Sequence, residues 1–148
     1  MEQRMPRRTW SAPGVPGRRL RLLVEDSRPA LAVSDFSLFK DAGLDVAFCD
    51  GPGDDPAACP LLCGQRCALV DGADVVLHGL DPGLGIAAAI KRQRPELPVV
   101  VEQRRLQDGA AEPVPDGCVP LGYPCSVGGQ IDALLRAEAV SRRGRGVR

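Results

Sequence analysis

The sequence predicts an α/β protein organised around a parallel sheet, and three observations carry that prediction. Short aliphatic runs, Leu22-Leu23-Val24, Val75-Val76-Leu77 and Val99-Val100-Val101, are almost free of polar interruption, as expected of strands covered on both faces. Between such runs lie stretches with apolar residues at helical spacing. The connections are short and rich in Gly, Pro and Asp. Strands alternating with helices across short turns require a parallel sheet with right-handed crossovers and helices on both sides.

Leu22 to Asp26 reads as the first strand, a buried run that ends in two adjacent carboxylates. Ser27 to Asp41 follows as a helix with Leu31, Val33, Phe36, Leu38 and Phe39 as its apolar stripe. Pro29 sits in the first turn, where a missing N–H costs nothing, and Gly43 stands just past the end as a stop. Leu44 to Cys49 is the second strand, and Asp50 to Asp55 a loop. Cys59 to Asp71 is irregular. Asp74 to His78 is the third strand, Leu84 to Arg94 an alanine-rich helix ended near Pro95, and Pro98 to Val101 the most β-branched strand. Glu102 to Glu112 is polar and predicts a short helix at most. Gly117 to Leu121 is an edge-like strand, because Pro120 cannot donate to a ladder. The last helix spans Ser126 to Ala139, with Ser126 as cap and Val127, Ile131, Leu134 and Leu135 on one face.

The chain has 148 residues, 44% hydrophobic and 26% charged, which is the profile of one soluble domain with a real core. Five aromatic residues, Trp10, Phe36, Phe39, Phe48 and Tyr123, are too few for a base-stacking nucleic-acid surface. The zero net charge is unevenly spread. Arg4, Arg7, Arg8, Arg18 and Arg19 against Glu2 give residues 1–19 a charge of +4, and Arg142, Arg143, Arg145 and Arg148 give the C-terminal end another +4. Pro and Gly accompany the arginines, so residues 1–18 and 141–148 read as disordered arms around a domain spanning 19–140. Nucleic acid is expected to touch the protein only through these basic tails, if at all. No apolar run approaches the roughly 20 residues of a membrane span, and the arginine-bearing N-terminus has no apolar signal core. The expectation is a cytoplasmic protein with no membrane partner and with reduced thiols.

Groups able to do chemistry collect at the carboxyl ends of parallel strands. Glu25 and Asp26 lie there, and two carboxylates suit a weakly held Mg²⁺; the alternative is an acidic turn capping the next helix. His78, the single histidine, is a candidate nucleophile or metal ligand, or a hydrogen-bonded structural residue. Cys59, Cys63 and Cys67, spaced Cys-x₃-Cys-x₃-Cys, offer three thiols. With Cys49 or His78 as a fourth ligand they suit zinc or an iron–sulfur cluster, though the spacing is not a paired Cys-x₂-Cys pattern. Redox-active thiols or simple packing are the other readings.

Four segments, in order, resemble the receiver domain of two-component response regulators. They are Leu22-Leu23-Val24-Glu25-Asp26, Ala73-Asp74-Val75-Val76-Leu77, Arg94-Pro95-Glu96-Leu97-Pro98-Val99-Val100-Val101, and Tyr123-Pro124 in the place of the family's Lys-Pro. The resemblance spans residues 19–140 and implies a three-layer flavodoxin-like fold with a five-stranded parallel sheet of order 2-1-3-4-5. It also implies phosphoryl transfer to an Asp ending the third strand, Mg²⁺ on that Asp and the acid pair, and a hydroxyl and a lysine that read the phosphoryl oxygens. Glu25 and Asp26 match. The phosphoacceptor position falls on Gly79, the hydroxyl position on Gln103 and the lysine position on Tyr123. The reading is therefore a degenerate receiver, not an enzyme and not phosphorylated, that contacts a protein partner through the face near Tyr123 and Pro124. Two rivals stand beside it. Asp81, two residues beyond Gly79, faces the acid pair and accepts phosphate with Mg²⁺ if the third strand continues that far; or the cysteines form a metal or redox module.

Overall fold

A computed structural model of the chain describes Trp10 and residues 19–146. Five parallel strands, β1 (Arg21–Asp26), β2 (Asp45–Cys49), β3 (Val75–Gly79), β4 (Val99–Gln103) and β5 (Val119–Gly122), lie in the order β2-β1-β3-β4-β5. This is the flavodoxin-like order the sequence implied.

Alternation along the strands divides the core in two. Leu22, Val24, Val46, Phe48, Val75, Leu77 and Val100 face α1 (Pro29–Asp41) and α4 (Val127–Gly146), meeting Phe39, Leu134 and Ala137. Leu23, Ala47, Val76, Val99 and Val101 face α2 (Ala68–Gly72) and α3 (Ile86–Gln93), meeting Val70, Ile86, Ala87, Ala89 and Ile90. Each fully buried Leu, Ile, Val or Phe contributes about 1.5–3 kcal/mol, so both faces bind the sheet to its helices.

The helices differ from expectation in three places, each for a local reason. Between β4 and β5 there is no helix. Arg105 and Ala111 form an antiparallel bridge around a turn in which Gly109 adopts φ +84° and the Asp108 carboxylate accepts from the Ala110 N–H. The alanine-rich helix starts at Ile86, later than Leu84, because Asp81 caps a single 3₁₀ turn (Pro82–Leu84) that Gly85 ends at φ +75°. The last helix runs to Gly146, well past Ala139, which takes residues 141–146 out of the disordered tail the charge pattern suggested. Ser141 donates from its hydroxyl to the Glu96 carbonyl at 2.6 Å, and Arg142 reaches Glu138 at 3.7 Å one turn back.

Where a longer second helix was absent from the sequence pattern, two 3₁₀ turns (Pro56–Ala58 and Pro60–Cys63) and the five-residue α2 stand instead. Helix α2 is too short to satisfy its own carbonyls, and Arg94 does so, donating from Nη1 to the carbonyls of Val70 at 2.8 Å and Ala73 at 3.0 Å. Trp10 falls inside the stretch read as a disordered arm, yet it packs here. Its indole N–H donates to the Leu69 carbonyl at 3.0 Å, its ring lies under the Arg21 guanidinium at 5.6 Å, and it covers Gly72. The rest of 1–18, and residues 147–148, lie outside the described residues. Among the described residues no helix is long and apolar enough to cross a membrane.

Candidate functional site

The decisive fact about the acid pair is where β1 ends. The strand continues through Asp26, with Glu25 in register with Cys49 and His78, and Asp26 in register with Gly79. Consecutive strand residues point to opposite faces, so the two carboxylates part.

Asp26 joins a row on the α1/α4 side. Asp26 pairs with Gly79, and because His78 pairs with Val101, Glu102 falls next in the same row. A Cβ built on Gly79 would lie 3.4 Å from Asp26 Oδ2 and 3.3 Å from Glu102 Oε2. Two buried carboxylates thus converge on a position that carries no side chain. Like charges so placed repel unless a cation stands between them.

Arg28 is that cation. Its backbone N–H donates to Asp26 Oδ1 at 2.8 Å, its Nε to the same oxygen at 3.1 Å and its Nη2 to Oδ2 at 3.0 Å, a fork on one carboxylate. Nη2 also stands 3.7 Å from Glu102 Oε2. Nη1 donates to the Tyr123 hydroxyl oxygen at 2.6 Å, and the guanidinium lies 5.3 Å from the centre of the Tyr123 ring, with Arg104 at 4.8 Å from the same centre. Hydrogen bonds to Asp26 and Tyr123 push the Arg28 pKa above its already high ordinary value. Glu102 is held less well. Its Oε2 is buried with no hydrogen bond from the described residues, and burial first, then Asp26, raises its pKa, against the pull of Arg28 and Arg104.

Glu25 serves the other face. It is 3% exposed, and its Oε1 is hydrogen-bonded to His78 Nδ1 at 2.7 Å, with His78 itself 2% exposed. Neither residue reaches the Asp26 row. His78 is buried and hydrogen-bonded to Glu25. Alternation sends the Glu25 and Asp26 side chains to opposite faces of the sheet, and Arg28 lies on the one facing Gly79.

The remaining sequence candidates are scattered. Asp81 does not extend β3: the strand stops at Gly79, Leu80 turns into the core at 5% exposure, and the exposed Asp81 spends Oδ1 on the Gly83 N–H at 2.9 Å. The condition for Asp81 to face the acid pair is therefore unmet. Gln103, on the α2/α3 side, donates from Nε2 to the Glu112 carbonyl at 2.7 Å and pins the turn that replaces the missing helix. Tyr123, followed by a cis peptide to Pro124, takes part in the Arg28 cluster. Cys63 is exposed with Sγ 3.6 Å from the Ala57 carbonyl, whereas Cys59 and Cys67 border a cavity with Cys49. Among the described residues no three His, Cys, Asp or Glu side chains are arranged to hold a metal ion, so the three thiols and His78 do not assemble. Sequence reasoning missed Arg28, although an Arg two residues after an Asp was legible as a local ion pair. Glu102 was legible only as one of several polar residues at a strand end.

No protein-family model and no curated protein sequence matches the chain. Solved structures do. A response regulator receiver protein from Sinorhizobium medicae is 18% identical, with 85% of this chain and 99% of that one covered and a TM-score of 0.58. The signal receiver domain of an HD domain-containing protein from Pseudomonas fluorescens is also 18% identical, over 93% of this chain and 98% of that one, with a TM-score of 0.60. A response regulator receiver domain protein from Clostridium thermocellum is 16% identical, over 83% and 97%, with a TM-score of 0.59. The chain therefore has the receiver fold.

Proposed function

We propose that the protein is a receiver-like signalling module that works without phosphorylation and without a bound divalent cation, by presenting a fixed surface to a protein partner. It acts in the cytoplasm and is not an enzyme. The observation that carries this reading is Arg28 lying between Asp26 and Glu102 beside the bare backbone of Gly79. Phosphoryl transfer needs an oxygen nucleophile and a cation that neutralises the transferring group. Gly79 supplies no nucleophile, and the Arg28 guanidinium already lies against both Asp26 and Glu102.

The same guanidinium gives the module its constant state. Tyr123 is held by Arg28, which follows β1, and by Arg104, which follows β4. Tyr123, 37% exposed, and Pro124 at the end of the edge strand β5 are the contacts offered to the partner. The test is incubation with Mg²⁺ and acetyl phosphate followed by intact mass. The mass should stay unchanged; a phosphate adduct that disappears in Asp81→Asn overturns the reading.

A further inference from the structure

We propose that the cavity beneath the 3₁₀ turns is a binding site for a small organic ammonium with an aromatic body. The cavity measures about 300 Å³, within the range of small-ligand sites, and it lies between the sheet and the two 3₁₀ turns with α2. Its floor is Leu23, Leu80 and Ile86, all buried, and its walls include Cys49, Cys59 and Cys67. Polarisable sulfur packs well against aromatic rings.

Charge selects the head group. The one ionisable carboxyl lining the cavity is Glu25, which is 97% shielded from solvent and hydrogen-bonded through Oε1 to a buried His78. Oε2 receives no hydrogen bond from the described residues. His78 meets only one of the two carboxylate oxygens, and a buried charge is costly until it is paired. No Lys or Arg among the described residues lines the cavity. Arg66, next to Cys67, is bonded to Asp71 at 2.8 Å, and the bordering loop carries Asp50, Asp54 and Asp55. An ammonium within reach of Oε2 would form a charge-assisted hydrogen bond in a sheltered site, where such bonds are strongest. A carboxylate ligand would meet Glu25 with no cation among the described lining residues to offset it. This site is on the opposite face of the sheet from Arg28 and does not depend on how the signalling surface works.

Benzylamine, benzyl alcohol and benzoate, three probes of one shape and different charge, titrated into the full chain at neutral pH and followed by two-dimensional ¹H–¹⁵N NMR, test the proposal. Benzylamine should shift the amides of Cys49, Cys59 and Leu80 saturably and bind at least about ten-fold more tightly than benzyl alcohol, with benzoate inert. Glu25→Gln should remove the preference for the amine. Should that variant fail to fold, Cys59→Leu, which narrows the cavity and leaves Glu25 in place, should weaken both the amine and the alcohol. Equal affinity for all three probes, saturable shifts confined to other parts of the fold, or no saturable shift with benzylamine overturns the proposal.

Discussion

Arg28 grips Asp26 with three donors, the backbone N–H, Nε and Nη2, all between 2.8 and 3.1 Å, across only two residues of chain. The closeness in sequence makes the pair inexpensive to form, since little chain entropy is lost in bringing its members together. The tight turn out of β1 and the start of α1 at Pro29 then carry the guanidinium over the end of the sheet. Glu102 and Tyr123, from β4 and the segment after β5, close on the same group. One side chain therefore joins three strand ends.

Removing that side chain leaves two buried carboxylates facing each other over Gly79. Breaking a buried pair by deleting one partner costs several kcal/mol, but the Arg28 side chain is 34% exposed, so solvent reduces the figure. Arg28→Ala is expected to lose about 1–3 kcal/mol in urea unfolding. A loss below about 0.5 kcal/mol would mean the cluster does not stabilise the strand ends.

Glu102 gives a pH dependence whose sign follows from its raised pKa. A carboxyl that holds its proton more tightly folded than unfolded makes the folded state bind more protons in the interval between the two values, so its contribution to stability falls as pH rises from the ordinary glutamate range through the folded pKa. Glu102→Gln should therefore melt higher than the wild type at neutral pH. The gap should close at pH below the ordinary glutamate range, where both side chains are neutral. A variant less stable than wild type at pH 7 would show that the attraction of Arg28 and Arg104 outweighs burial.

Restoring an acid at Gly79 should not restore an acceptor. The Cβ of Gly79→Asp has room only at 3.3 to 3.4 Å from two carboxylate oxygens, and its own carboxylate would be a third negative charge in the row. The variant is expected to be about 1–3 kcal/mol less stable and to gain no mass on treatment with Mg²⁺ and acetyl phosphate. Phosphorylation of this variant with Arg28 intact would show that the guanidinium yields its place readily.

Trp10, the sole tryptophan, reports on the α2 corner. A Cβ at Gly72 would fall 2.5 Å from Cδ1 and Nε1 of the indole, too close for either to remain. Gly72→Ala should displace the ring into water and shift its emission to longer wavelength, while the sheet stays folded. Unchanged emission would place Trp10 away from Gly72 in solution.

The sheet was legible in the sequence because its strands are aliphatic runs with clear ends, and the pattern of Val99-Val100-Val101 admits little else. The site was only half legible, since its geometry turns on one residue of strand length. Had β1 stopped before Glu25, both carboxylates could have left the sheet together; because pairing extends through Asp26 to Gly79, they separate. Composition does not encode that boundary. The long C-terminal helix was hidden for a different reason. Arginine and glycine at residues 142–146 look like a solvated tail, and only docking of Ser141 on Glu96 and the Glu138 to Arg142 pair reveal support for more turns. The missing helix after β4 was better signalled, by Asp108-Gly109 as turn residues.

Titration of Mg²⁺ into wild type and Arg28→Ala, followed by the amide signals of Asp26, Gly79 and Glu102, tests most directly whether Arg28 keeps a divalent cation from these carboxylates. The wild type should show no saturable shift up to about 10 mM Mg²⁺, and the variant, its carboxylates released, should bind in the millimolar range. Saturable binding by the wild type at these three residues would contradict the account.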